Sequence, residues 1–310
     1  MTTLTYTLLC LTVLSLWLPW RFGLPRPAEA WHLLLALAIV CALIAGVLQP
    51  IGLVSIAILL AACVVFGRAR PRSAPHIASG VVLFLISLML IAHVAPGFSN
   101  LRIQSGVVIS PGAVPYTQYL NFDKALVGIC LIGILHPRLT TRMEWESMAK
   151  RAIPWAGAAI GVLMSWSAIL GYVRVDVKVP PQFALWVLAN LLYTCTAEEA
   201  FFRGFVQRTL EGDTSADGRN AGPDPHPHPD SSADPGSGHI KPNIGLLVAG
   251  CLFGLAHYAG GPMYVALATV AGLTYGAVYS DTRSIESSIL THFAVNLTHI
   301  LFFTYPALAL

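Results

Sequence analysis

Apolar stretches of membrane-spanning length recur along nearly the whole chain of 310 residues. A spanning helix needs about 20 apolar residues, whereas a membrane β-barrel is built from alternating strands of about ten. The composition points the same way, because 55% of the residues are hydrophobic and only 11% are charged, against about 25% charged residues in soluble domains. The sequence therefore predicts an all-α, polytopic transmembrane helix bundle and excludes a soluble core or a barrel.

Polar breaks divide the apolar sequence into candidate spans. Ten are expected, near residues 5–20, 31–48, 51–67, 77–95, 124–136, 153–171, 183–208, 243–259, 262–280 and 285–304. Gln49-Pro50 separates the second from the third, because one continuous helix there would far exceed the bilayer. The fifth span is the weakest, with about twelve apolar residues, which suits a tilted, re-entrant or partly interfacial segment.

Lysine and arginine are distributed unevenly between the loops of this arrangement. Alternate loops hold thirteen of these residues and the intervening loops hold three, while Lys124 and Arg203 lie at or within helices. Since cytoplasmic loops carry the excess of positive charge, the pattern predicts that both termini lie outside the cytoplasm. The net charge of +3 follows from this topology, and no basic face is left for a nucleic-acid partner.

Residues 212–242 interrupt the apolar pattern with Pro, Gly, Asp and Ser. Such a composition cannot bury a core and predicts a flexible cytoplasmic linker. His226, His228 and His239 lie within it near aspartates, so loose metal binding is an alternative. The linker interpretation is favoured, because this composition needs no metal to explain it.

Two adjacent carboxylates and an arginine stand inside the seventh span. Charged side chains at membrane depth are costly and usually functional. Glu199 and Arg203 are four residues apart and therefore share a helix face, which favours an ion pair. Glu198 lies about 100° away around the axis and is left to face something else. The alternative is a charged helix end at the cytoplasmic border, since Arg208 and Glu211 follow closely.

Two later spans carry further polar side chains. His257 ends an apolar run that is followed by glycines, while His292 and Asn296 share one helical face with His299 a turn further along. A single histidine on an apolar helix is more often a buried core residue than a catalytic one. Three polar helices together, however, could supply a base, a partner that holds water, and donors for an oxyanion, as peptide hydrolysis requires.

These three segments resemble the ordered motifs of the CPBP intramembrane proteases, also called the Abi family. That family includes CAAX prenyl proteases and bacteriocin-processing or self-immunity proteins. The matching positions are Glu198, Glu199 and Arg203 for EExxxR, Phe253 and His257 for FxxxH, and His292 and Asn296 for HxxxN. Each motif alone is weak, but three in order on apolar helices are specific. The resemblance extends from about residue 120 to 304.

The resemblance implies roles for these residues. Glu198 would be the general base that activates water, and His257 would hold that water. His292 and Asn296 would stabilise the oxyanion, where loss of one donor commonly costs ~10²–10³ in rate. Glu199 and Arg203 would fix the helix and the orientation of Glu198. It also implies two regions: residues 1–120, helices of unknown role, and residues 121–310, a protease core interrupted by the linker 212–242.

Metal dependence stays open at this point. Glu198, His257 and His292 could form a two-histidine, one-carboxylate zinc site with an open water position. The HExxH pair that would set two ligands and a base on one helix is absent from the sequence, and the carboxamide of Asn296 is a poor zinc ligand. We therefore expect a glutamate-dependent reaction that requires no cofactor, with zinc as the alternative.

The expected function is cleavage of a membrane-associated peptide within the lipid bilayer. Processing of a C-terminal sorting signal in a bacterial inner membrane is favoured over CAAX cleavage, because the short N-terminus and compact loops resemble bacterial members. A non-catalytic self-immunity protein is a second class, although a pure binder does not need two glutamates in lipid. A transporter with an intramembrane ion pair is a third, but the repeat symmetry common in transporters is not evident.

Overall fold

The computed structural model describes residues 1–18, 21–22, 28–212 and 242–309. The predicted linker therefore lies outside the described residues except for its two end positions, and so do His226, His228 and His239. Within the described ranges the chain is mostly helical. Its helices occupy the places of the apolar runs, which confirms a mostly helical chain, and two short two-stranded sheets within these ranges are added to the predicted all-α class.

Six helices precede the segment that carries the two glutamates. They are α1 (Thr2–Ser15), α2 (Ala30–Ile44), α3 (Gly52–Arg68), α4 (Ala74–Ile91), α5 (Phe122–Leu135) and α6 (Arg142–Ile169). Short strands β1 (Arg21–Phe22) and β2 (Ala28–Glu29) pair before α2. The break between α2 and α3 falls at the expected Gln49-Pro50. α6 begins well before the predicted 153, because Thr141 and Glu144 form a capping box that starts the helix there.

A β-hairpin between α4 and α5 was not predicted. Strands β3 (Leu101–Val107) and β4 (Tyr116–Leu120) pair antiparallel, with irregular register inside the ladder. The strands are short, and most of β3 is exposed. They therefore lack the clear alternation of polar and apolar residues by which a sequence indicates a strand.

The seventh helical segment, here called α7, runs through residues 183–210 and changes its winding four times. It consists of Phe183–Leu188 (α), Ala189–Cys195 (π), Thr196–Glu199 (α), Ala200–Gln207 (π) and Arg208–Leu210 (α). Three helices follow it: α8 (Pro242–Leu255), α9 (Gly261–Thr282) and α10 (Ile285–Phe302), with a 3₁₀ turn (Tyr258–Gly260) before α9. The helix α8 ends earlier than the predicted 259.

Three helices in the described ranges are long and apolar enough to cross a membrane by length and composition. They are Ala74–Ile91, Arg142–Ile169 and Tyr258–Thr282. Shorter apolar helices occupy four of the other predicted spans. The protein is a membrane protein, while the count of ten spans and the orientation of the termini stay predictions.

The weakest predicted span is the central helix of the bundle. Every residue of α5 from Phe122 to Ile132 is buried, and α5 contacts α1, α3, α4 and α7. Its burial gives a physical reason for the short apolar run, while a tilted, re-entrant or partly interfacial placement in the membrane stays a prediction. A helix enclosed by protein need not match the thickness of the lipid, so its short apolar run is sufficient. The buried core is continuous from α1 to α10, and both predicted regions contribute to it.

Gly128 allows α5 to lie directly against the backbone of α7. A Cβ at this position would be 3.1 Å from both Cα and N of Ala197 and 3.2 Å from Cγ2 of Thr196. We expect Gly128→Val to lower the free energy of unfolding by about 1–3 kcal/mol, because the added methyl groups must push two packed helices apart. Thermal unfolding in detergent measures this loss.

Gly157 on α6 provides the matched control for that measurement. None of the described residues comes within 4 Å of a Cβ built there, so Gly157→Val should leave the melting temperature nearly unchanged. An equal loss at both glycines would show that the close approach of α5 and α7 does not limit stability.

Candidate active site

The two glutamates lie on the single α turn of α7, between its two π-helical stretches. π turns inside helices are rare and are frequent at functional sites. The first π stretch, Ala189–Cys195, also carries Asn190, which lines the same cavity as Glu198. The irregular winding therefore directs side chains from several turns of α7 toward one cavity.

Glu199 and Arg203 form the ion pair that their spacing predicts. Arg203 Nη1 lies 3.2 Å from Glu199 Oε1, and both side chains are fully buried. Arg203 Nη2 donates to the carbonyl of Gly272 at 2.7 Å, and the guanidinium lies 4.6 Å from the centroid of the Phe253 ring. A charged helix end at the membrane border is therefore the wrong interpretation for these two residues.

Glu198 has an ionic partner that its sequence context does not predict. Lys124 Nζ, from the first turn of α5, donates to Glu198 Oε1 at 2.6 Å, and both side chains are nearly buried. The helical spacing left Glu198 to face an unspecified group, and for one of its oxygens that group is Lys124. The available signal was a lysine at the start of an apolar run, which itself needed a counter-charge.

The second oxygen of Glu198 has a different environment. Oε2 is buried and has no hydrogen-bond partner among the described residues, and the nearest cationic nitrogen paired with it is His292 Nε2 at 3.9 Å. A buried carboxylate oxygen usually accepts a hydrogen bond from a protein group or a bound water. Oε1 of Glu198 is therefore bound by Lys124, whereas Oε2 is available to a water or another donor.

His292 connects the two glutamates. Its Nδ1 lies 2.8 Å from Glu199 Oε1, and its ring stacks on Tyr275 with centroids 4.7 Å apart and an interplanar angle of 18°. Since a carboxylate only accepts, Nδ1 donates to Glu199, and Nε2 points toward Glu198. Glu199 therefore orients Arg203 and His292 through the same oxygen.

His257 follows the end of α8 rather than lying within it. Its Nδ1 lies 2.7 Å from the carbonyl oxygen of Phe253, and a carbonyl only accepts, so Nδ1 carries a hydrogen and Nε2 of the neutral ring is an acceptor. Counting along a straight helix would place His257 roughly 9 Å from the level of Glu198. The early end of α8 removes that difficulty, because both side chains line one cavity.

Asn296 is tied to α7 through its carboxamide. Its Nδ2 donates to Asn190 Oδ1 at 3.2 Å and approaches Cys195 Sγ at 3.7 Å. Neither Asn190 nor Cys195 was singled out from the sequence, since isolated small polar residues in an apolar helix give no such signal. The amide of Asn296 is therefore positioned by the first π stretch.

These groups share one cavity of about 680 Å³. Glu198, His257, His292 and Asn296 line it, together with apolar and aromatic side chains from α6, α9 and the chain after α10. That last segment is held on both edges, because Leu308 N donates to the Tyr172 carbonyl at 3.0 Å and Val114 N donates to the Ala307 carbonyl at 2.9 Å. The structure brings together the four residues proposed for catalysis and places Glu199 and Arg203 behind them.

The zinc alternative fits this arrangement poorly. Across the described parts of the chain, no group of three or more His, Cys, Asp or Glu residues is arranged to hold a metal ion. Nδ1 of His292 and Nδ1 of His257 are held by protein oxygens, a pattern that metal-binding histidines share and that therefore does not itself argue against zinc. The Lys124 ammonium does argue against zinc, because it lies against Glu198 and would repel a divalent cation.

Comparison with known families agrees with the resemblance seen in the sequence. A family described as type II CAAX prenyl endopeptidase Rce1-like matches residues 180–298. That range includes all three motifs and the whole of the catalytic group named above, but not Lys124. No curated protein and no solved structure matches the chain significantly.

Proposed function

Because residues 180–298 match the family described as type II CAAX prenyl endopeptidase Rce1-like, we propose that the protein is an intramembrane endopeptidase with Glu198 as its general base. The observation that carries this proposal is the asymmetry of the Glu198 carboxylate. Lys124 holds one oxygen, while the other has no hydrogen-bond partner among the described residues, with His292 Nε2 3.9 Å away, and belongs to a side chain that lines the cavity.

The hydrolysis begins with a water between Glu198 Oε2 and His257. His257 Nε2 accepts one hydrogen bond from this water, and Glu198 takes its other proton as the oxygen attacks the carbonyl carbon of the scissile bond. The tetrahedral intermediate carries one negative charge on the former carbonyl oxygen. When it collapses, the C–N bond breaks and Glu198 returns the proton to the leaving amine, so the base is regenerated.

His292 and Asn296 stabilise the charge that develops on the oxyanion. An imidazolium at position 292 gives one N–H to Glu199 and keeps its Nε2 hydrogen for the substrate. At Asn296, the long contact from Nδ2 to Cys195 Sγ, 3.7 Å, is the weaker of its two hydrogen bonds and the one that substrate would replace. Glu199 and Arg203 hold this arrangement from behind.

The reaction in this proposal requires no metal. Lys124 supports that choice, because an ammonium 2.6 Å from Glu198 Oε1 stabilises the carboxylate without a bound cation. The partners are a membrane-associated peptide substrate and the lipid bilayer, with no nucleic acid. The location is a bacterial inner membrane, with both termini outside the cytoplasm.

The substrate class has two candidates. The first is a C-terminal sorting signal or another hydrophobic membrane peptide, supported by the largely apolar and aromatic cavity wall. The second is a prenylated CAAX peptide, supported by the description of the matching family. In both cases the cleaved bond lies near the C-terminus of a membrane-associated chain.

Peptide cleavage by the purified protein tests this proposal. Protein in detergent is incubated with a hydrophobic C-terminal tail peptide and, separately, with a farnesylated CAAX peptide, and the products are identified by mass spectrometry. We expect cleavage of at least one peptide by the wild type and none above background by Glu198→Ala. Glu146→Ala, at an exposed glutamate on α6, should cleave as the wild type does.

Three outcomes would contradict parts of this proposal. Equal cleavage by Glu198→Ala and wild type would overturn the catalytic role of Glu198. Activity that chelators abolish and zinc restores would overturn the metal-free reaction. A folded wild type that cleaves neither peptide, but binds one of them, would favour the non-catalytic immunity protein of the same family.

A further inference from the structure

The pairing of Lys124 with Glu198 joins two distant parts of the chain. Lys124 lies outside the residues that match the family, 180–298, whereas Glu198 is in the first motif within that range. Nζ and Oε1 are 2.6 Å apart, which is a short, charge-assisted hydrogen bond. The exposed fractions of the two side chains are 10% and 8%, so water screens this contact little.

Charge balance explains why a second cation is needed. Glu198 and Glu199 are adjacent and both buried, and Arg203 pairs only with Glu199 among the ion pairs of the described chain. Arg203 faces Glu199, and a buried Glu198 without a permanent cation of its own would keep a large desolvation penalty. Lys124 supplies that cation at Oε1 of Glu198, so each buried carboxylate has one permanent cation, with His292 between the two carboxylates.

The start of α5 is fixed in the position from which Lys124 reaches Glu198. Asp123 accepts hydrogen bonds from Asn100 Nδ2 at 2.9 Å and pairs with His93 Nδ1 at 2.9 Å, and Phe122 N donates to Asn100 Oδ1 at 2.8 Å. One turn further, Gly128 lies against the backbone of Ala197. These contacts locate Lys124 from both sides, so its reach to Glu198 does not depend on a mobile side chain alone.

We propose that Lys124 is a positioning residue, which holds Oε1 of Glu198 and leaves Oε2 as the oxygen that receives the proton from water. This inference rests on the proposed function, because it concerns the same carboxylate. It adds a residue of α5, outside the matched range of residues 180–298, to the machinery of the site. Without Lys124, the Glu198 carboxylate is free to rotate or to turn toward His292, and it is no longer set for the attacking water.

Two single variants and a double variant test this role. The proteins are Lys124→Met, Glu198→Gln and Lys124→Met/Glu198→Gln, each measured for thermal stability in detergent, and Lys124→Met also for kcat and KM on a peptide that the wild type cleaves. We expect Lys124→Met to lower kcat by about 100-fold, the loss that an ångström-scale misplacement of a reacting group produces. Its KM should change by less than roughly threefold, because Lys124 does not bind substrate.

The melting temperatures measure the interaction between Lys124 and Glu198 independently of activity. Each single variant leaves one buried charge without its partner and should melt lower than the wild type, whereas the double variant removes both charges and should regain much of the loss. Lys150→Met, at an exposed lysine on α6, serves as the control and should leave kcat and melting temperature as in the wild type.

The outcomes separate this inference from the proposed function. A wild type that cleaves no peptide contradicts the proposed function, and the positioning role with it, even if the melting temperatures still show a coupled pair. An active wild type with normal kcat in Lys124→Met overturns the inference about Lys124 and leaves the proposed function standing. Additive losses of melting temperature in the double variant would likewise overturn it, since they would mean that the two side chains do not interact.

Discussion

Arg203→Leu is expected to lower the free energy of unfolding by about 3–5 kcal/mol, the cost of removing one partner from a buried ion pair. Arg203 and Glu199 are both fully buried, so the remaining carboxylate could not be hydrated. The variant also loses the hydrogen bond to the Gly272 carbonyl and the contact of the guanidinium with the Phe253 ring. Unfolding in detergent, followed by circular dichroism, measures the effect.

An exposed pair with the same spacing provides the control. Arg142 and Glu146 are also four residues apart on a helix, but their side chains are 92% and 51% exposed. Arg142→Leu should therefore cost no more than about 0.5 kcal/mol. Adding Glu199→Gln to Arg203→Leu should recover part of the loss. Similar losses from Arg203→Leu and Arg142→Leu would contradict the buried pair that the structure describes.

His292→Ala is expected to lower kcat by ~10²–10³, the usual loss for one oxyanion donor. Removing the imidazole takes away the Nε2 hydrogen and leaves Glu199 with Arg203 as its ionic partner, so the fold should survive while the chemistry fails. KM should change much less than kcat, because this hydrogen bond is strong only in the transition state. Steady-state kinetics on a cleaved peptide measure both constants.

His76 offers a matched control for this variant. It is a buried histidine that stacks on an aromatic ring, Phe66, with centroids 4.2 Å apart, as His292 stacks on Tyr275. It lies on α4 and does not line the cavity. We expect His76→Ala to lower stability and leave kcat unchanged. If both histidine variants lost the same fraction of kcat, the loss would have to be attributed to packing rather than to an oxyanion donor.

Local spacing predicted the parts of the site that are close in the sequence. Glu199 and Arg203 are four residues apart, and helix geometry alone places them together. Lys124 and Glu198 are separated by 74 residues, so no spacing rule connects them. Their meeting depends on how α5 packs against α7, which a single sequence does not reveal. Charge balance was the only available hint, because two buried carboxylates stood beside a single nearby arginine.

The fold was also predictable only in part. The apolar runs located the helices. Each helix in a membrane protein must present a continuous apolar surface to lipid or to a neighbouring helix, and that surface appears in the sequence as an apolar run. These runs did not reveal the π turns of α7. Each π stretch is only seven or eight residues long, which is too short for its winding to change the spacing of apolar residues visibly. The runs also did not reveal that α5 is enclosed by other helices. Its shortness suggested a tilted, re-entrant or partly interfacial segment, and enclosure supplies a second reason why a long apolar stretch is not needed.

The burial of α5 has a consequence for how this helix tolerates substitution. On a helix with one side toward lipid, changes that are harmful and changes that are harmless should recur with the helical period. From Phe122 to Ile132 every position of α5 is buried, so such a period is not expected there. A complete substitution scan of this helix should instead sort its positions by side-chain volume, with Gly128 accepting the fewest replacements.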